Sequence, residues 1–282
     1  MRRKQIGKHL DKRELIGPKL LVKYHSARPP SDDTRRKLRE AASVACSVMR
    51  TTVWEIDKVC LFRRDEKALM TGVLDEHFGF KNLDGLKSNR DGNGKLVHTK
   101  ARREWLGLIR RIMLSVSFHL NTGMYLLDTD AGYRTIIGDN EVDNMDASWS
   151  NSFIRDAAGQ KTLDPADPNK YHVGTAMLGT KRAVGDLIEA YAHVDSGGPV
   201  HVSFELAKSM SALEFARIII HEASHTFCGT TDVWYAHAGS SYSDEKPHKM
   251  ISNADSFAYA AVSLGAKVLH DHGSLQGAVY NP

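Results

Sequence analysis

Apolar residues recur at three- and four-residue spacing in four stretches of the chain, the pattern of helices that bury one face. The first stretch carries Leu38, Ala41, Ala42, Ala45, Val48 and Met49 behind Ser31, Asp32 and Asp33. A serine hydroxyl accepts from the free N–H groups that open a helix, and acids in the first turn complement its positive end, so a helix starts at Ser31. The second stretch, Trp105, Leu108, Ile109, Ile112, Met113, Val116 and Leu120, keeps its stripe for roughly four turns. The third opens on Ser211-Ala212-Leu213-Glu214, a capping box, and runs through Phe215, Ala216, Ile218, Ile219 and Ile220, with Gly229 suited to end it. The fourth is Phe257, Ala258, Ala261, Val262, Gly265 and Leu269.

Residues 122–205 lose this period. Segments 133–137, 171–173, 190–194 and 200–204 have strand character, and Ser196-Gly197-Gly198-Pro199 is a turn that folds the last two into a hairpin. A strand of this kind can pair with an extended peptide. The expected fold class is therefore α+β, mainly helical, with a small antiparallel sheet. Pro29-Pro30 divides a basic arm or linker over 1–30 from one domain over 31–282. Asn89 to Leu96 copies the first positions of an EF-hand calcium loop, but the place of the bidentate glutamate holds Lys100, so an ordinary turn is expected.

Charge sharpens the division. Of the 38 Lys and Arg, nine fall in residues 1–28 beside only Asp11 and Glu14, leaving 29 basic against 32 acidic residues elsewhere. No aromatic-basic recognition pattern accompanies the arm, so no nucleic-acid partner is expected. A hydrophobic fraction of 41% and a charged fraction of 26% are those of a water-soluble globular protein. The apolar runs fall far short of the about 20 residues of a membrane span. The basic start meets no continuous apolar segment, so no Sec signal is expected, and the chain either stays cytoplasmic or leaves through a specialised secretion system. Cys46, Cys60 and Cys228 allow one bridge at most, between Cys46 and Cys60, and the count favours a reducing compartment.

The chemistry sits on the third helix. His221-Glu222-Ala223-Ser224-His225 is an HExxH motif; residues four apart share a helix face, so two imidazoles can meet one metal with a glutamate beside them. Asp232, seven residues beyond His225, can return as a third ligand after Gly229, leaving a fourth position for water. This is the donor set of a zinc peptidase with Glu222 as general base. Metzincins differ, since they place glycine three and the last histidine six residues beyond the second histidine.

Gly229-Thr230-Thr231-Asp232-Val233-Trp234-Tyr235 and Asn253-Ala254-Asp255 follow the motif in order. Together the three pieces resemble the aspzincin metalloendopeptidases, the family of deuterolysin and the fungal lysine-specific metalloendopeptidases, over about 190–262. The resemblance implies a zincin-like domain with one catalytic zinc ion held by His221, His225 and Asp232, and Glu222 as the base. It also implies that Tyr235 donates to the oxyanion and that Asp255 receives a substrate lysine at P1′ of a polypeptide or peptide. Bacterial relatives among effector and toxin domains add secretion machinery and an immunity or inhibitor protein as partners.

The residues themselves leave alternatives open. Asp232 can be a turn residue, with Asp255 or His237 as third ligand; Tyr235 can be cleft wall; Asp255 can cap the last helix. The same centre serves an amidase acting on peptidoglycan stem peptides, and a metal-stabilised binding protein would keep the ligands without the chemistry. Asp139, Glu141, Asp143 and Asp146 read as solvated surface, Cys228 as a structural thiol, and His270-Asp271-His272 as a complement to a helix end.

Overall fold

The computed structural model describes residues 11–25, most of 29–128, four short strands between 153 and 192, and most of 200–272. Helix α1 spans Asp32–Cys60, and the Ser31 hydroxyl accepts from the Thr34 N–H at 3.1 Å. Its predicted stripe is buried throughout. Helix α2 is Ala68–His77 and helix α3 is Lys100–Thr122, the latter capped by Thr99. In α3 the buried line runs through Leu106, Ile109, Met113, Val116 and Leu120, with Trp105 and Ile112 at its margin. Helix α4, Ala212–Cys228, forms both halves of the Ser211/Glu214 capping box and ends on Gly229 with φ of 65°. The left-handed region suits glycine because no Cβ meets the preceding carbonyl.

The last helix is interrupted. Helix α5, Ala254–Ala261, passes into a π-helical turn over Val262–Ala266 and then a short helix, Lys267–Asp271. A π turn shifts the hydrogen-bond register and frees carbonyls for other donors. Thr52 of α1 responds, its hydroxyl lying 2.9 Å from the Val48 carbonyl and 3.3 Å from that of Ala261. Gly265 makes the approach feasible, because a Cβ there would lie 2.3 Å from Thr52 Oγ1 and 2.4 Å from the Val48 carbonyl oxygen.

Among the described residues the main sheet has six strands in the order β1-β2-β5-β10-β9-β8. These are β1 Asp11–Gly17, β2 Leu20–His25, β5 Met124–Asp128, β8 His172–Val173, β9 Ala190–Ala192 and β10 Val200–Val202. Pairs β3 (Asn89–Arg90) with β4 (Leu96–Val97), and β6 (Phe153–Arg155) with β7 (Lys161–Leu163), form separate antiparallel ribbons. Leu20, Val22 and Tyr24 of β2, Met124 and Leu126 of β5, and Val200 and Val202 of β10 turn one face of the sheet into the common core. Helix α1 packs on α3, α4 and the π turn, while α4 also meets α3, α5, β9 and β10, so α4 is central.

The α+β, mainly helical class holds, and the 190–194 and 200–204 segments do pair antiparallel, with His201 opposite Tyr191. His172–Val173 forms β8, and the two ends of the pseudo-EF-hand segment pair as β3 and β4, with Asp91 and residues 93–95 outside the described residues. The expected 133–137 strand lies outside the described residues, as does the acidic loop from Asp139 to Asp146. Two expectations are corrected. The sheet is mixed, because β5 runs parallel to both β2 and β10. Residues 11–25 are no arm: they form a hairpin whose second strand pairs with β5. Lys12, Arg13, Lys19 and Lys23 obscure the alternation of buried Leu20, Val22 and Tyr24, which places the hairpin in the core. The Cys46 to Cys60 bridge is not formed; both thiols are free on one helix, about 21 Å apart along its axis.

No helix among the described residues is long and apolar enough to cross a membrane.

Removing residues 1–25 strips β5 of a neighbour and bares Val22's packing partners, so the truncated chain should lose cooperative thermal unfolding. An unchanged Tm would return the segment to the status of an arm. A second expectation concerns His77 of α2, buried between Tyr242 and Tyr259, with Nε2 3.0 Å from Ser263 Oγ. Burial pushes its pKa down to about 4. The unfolded chain takes up this proton near pH 6.5 and the folded chain does not, so stability falls as pH drops from about 6.5 to about 4, by up to about 3 kcal/mol. His77→Gln should flatten that part of the profile in urea unfolding at pH 7.5 and 4.5.

Candidate metal centre

Helix α4 presents His221 and His225 one turn apart on one face, both buried. After Gly229 the chain reverses and brings Asp232 back: its side chain is 1% exposed, with Oδ1 3.0 Å from His221 Nε2 and 3.2 Å from His225 Nε2. The two Nε2 atoms are 3.1 Å apart. Three donors on one zinc at about 2.0–2.1 Å, in tetrahedral arrangement, stand about 3.3 Å from one another, so the triangle has the size of a zinc site. Both Asp232 oxygens lack any partner with hydrogen-bond geometry, although imidazole nitrogens are near. The three donor atoms thus lie within 3.2 Å of one another. His221, His225 and Asp232 form the one such ligand cluster among the described residues.

Each imidazole is fixed from behind. His225 Nδ1 lies 2.6 Å from the Thr230 carbonyl oxygen, and His221 Nδ1 lies 2.7 Å from Asp255 Oδ1. Such partners set the tautomer, directing the Nε2 lone pair at a metal. The loop carrying Asp232 is pinned to the start of α5. The Thr231 N–H donates to the Ser252 carbonyl at 2.6 Å, the Ala254 N–H to the Thr231 carbonyl at 3.0 Å, and the Val233 N–H to Asn253 Oδ1 at 3.0 Å.

Electrostatics follow from burial and crowding. Burial opposes the charge on His221, but the Asp232 and Asp255 carboxylates outweigh it and hold the imidazole's pKa well above its usual range. Burial likewise pushes Asp232 up, and His221 and His225 outweigh it, leaving the carboxyl far below the ordinary range. Glu222 is different: burial, seconded by Asp232 and Asp255, raises its pKa to about 7 against the pull of the histidines. Its Oε2 is buried without a hydrogen-bond partner.

The structure thus brings His221, Glu222, His225 and Asp232 together. Tyr235 and His237 lie outside the described residues. Asp255 is not the cap of α5, since Asn253 holds the N-cap position; its side chain is 2% exposed, with Oδ1 on His221 and Oδ2 accepting from the Ala236 N–H at 2.8 Å. Sequence reasoning missed the Thr230 carbonyl, which as backbone leaves no residue-type signal. It also missed Arg217, whose place four residues before His221 on one helix face was readable.

The donor set fits zinc, with imidazole and carboxylate ligands and an orphaned buried carboxylate. At pH 7 metal-free His221 carries a proton that zinc must displace, so apparent affinity should rise with pH until that proton is gone. Calorimetry in buffers of different ionisation enthalpy should find about one proton released per zinc. His225→Ala or Asp232→Ala should abolish stoichiometric zinc uptake.

No protein-family model, curated protein or solved structure matches this chain.

Proposed function

We propose that this chain is a zinc-dependent endopeptidase of zincin-like construction, in which metal-activated water hydrolyses a peptide bond. The observation that carries the reading is the convergence of His221, His225 and the unpartnered Asp232 carboxylate beside a buried glutamate with a free oxygen. Zinc, when bound, supplies a Lewis acid and lowers the pKa of its water to about 7.

The protein's own groups do the rest. Thr230 and Asp255 hold the two imidazoles with Nε2 forward. Glu222 is the residue next to His221, and its unpartnered Oε2 can take a proton from water and hand it to the leaving amine. Preference for lysine at P1′ is not part of this reading, because its presumed receptor Asp255 is committed to His221.

Cleavage of a denatured peptide library by the zinc-loaded chain tests the proposal. Glu222→Gln should lower turnover at least about a thousandfold while keeping one zinc per chain, and a chelator should abolish the cuts. Zinc-loaded protein that leaves peptides intact but opens purified peptidoglycan would shift the activity to a stem-peptide amidase. Activity that survives Glu222→Gln would overturn the hydrolytic role of the motif.

A further inference from the structure

The two metal-facing imidazoles are supported unequally. His225 leans on the Thr230 backbone carbonyl, which the turn after Gly229 fixes in place. His221 leans on a side chain, Asp255, which must itself be held on that nitrogen. The Ala236 N–H secures Oδ2 only. Oδ1 faces a second group: Arg217 Nη1 lies 3.8 Å away, a charge contact and not a hydrogen bond.

Arg217 is built into the crossing of α4 and α5. It precedes His221 by four residues, so both project from one face of α4. Its guanidinium carbon lies 4.8 Å from the centre of the Tyr259 ring, and Tyr259 follows Asp255 by four residues on α5. The cation thus touches two successive turns of α5 while sharing a rigid helix with His221, and its side chain is only 22% exposed. Charge points the same way. Three carboxyl groups, Glu222, Asp232 and Asp255, crowd the two imidazoles, and Arg217 sets a fixed positive charge against Asp255.

From this geometry we infer that Arg217 is a positioning residue of the metal centre, holding the Asp255 carboxylate on His221 and thereby setting zinc affinity. The inference rests on the metal-centre reading. Residues that orient a ligand from behind change metal affinity by about 10–100-fold when lost. Zinc dissociation constants of the full chain, measured by competition with a chromophoric chelator, test it across Arg217→Met, Arg217→Lys, Asp255→Asn and the Arg217→Met/Asp255→Asn double variant.

Arg217→Met should bind zinc about tenfold more weakly, and Arg217→Lys, which keeps the charge but not the planar group on Tyr259, should recover part of the loss. The double variant should bind no more weakly than Asp255→Asn alone, because Arg217 acts through that carboxylate. A merely structural arginine would lower Tm but leave zinc affinity within twofold, or its effect would multiply with that of Asp255→Asn; either result overturns the inference while the metal centre stands. If the unaltered chain takes up no zinc, the metal centre and this inference fall together. Arg217→Lys preserves the helix crossing if the methionine variant fails to fold.

Discussion

The Asp232 carboxylate, buried beside two imidazoles and without a hydrogen bond of its own, is the constraint around which the site is arranged. An ionised carboxylate removed from water costs several kcal/mol unless an opposite charge meets it at close range. The His221 imidazole, whose pKa the neighbouring carboxylates hold well above its usual range, can meet it with a positive charge. The polypeptide accordingly devotes a left-handed glycine, a bridge between Thr231 and Asn253, and the start of α5 to keeping the carboxylate there. None of these contacts is chemically reactive. Their work is to prevent the relaxation that would let Asp232 swing toward solvent and find water.

That work succeeds because α4 cannot yield. It is covered by α1, α3 and α5, and its other contacts include β9 and β10, so a shift of either histidine would disturb several packed surfaces together. The close approach of the π turn to Thr52, with no room for a Cβ at Gly265, couples the element beyond α5 to α1. The placement of the two histidines is thus inherited from core packing across the molecule.

Much of this was legible in the chain. Ser31, Ser211 with Glu214, and Gly229 act locally, through hydrogen bonds and backbone conformations confined to a few residues, so their roles could be read directly. HExxH was legible for the same reason. What resisted reading depends on distant neighbours. The β2 alternation was hidden among lysines and arginines, and its partner β5 lies far along the chain. Parallel pairing leaves no turn signature. Asp255 carried the right residue type for a substrate carboxylate, yet its role was decided by the crossing of two helices, which brings it onto His221 Nδ1. The π turn was invisible because its apolar spacing continues that of the helix before it.

The parallel pairing of β2 with β5 and of β5 with β10 also sets an order of events during synthesis. The β1–β2 hairpin can close as soon as it emerges, but the strand that completes it arrives only after α1, α2 and α3 have been made, and β10 arrives later still. Through that interval Leu20 and Val22 lack their sheet neighbours on β5, and the open edge of β2 remains available to any extended segment nearby. The lysines and arginines of the hairpin then acquire a meaning apart from any partner: like charges on successive nascent chains repel, and keep an unfinished strand edge from finding its copy before its own β5 appears.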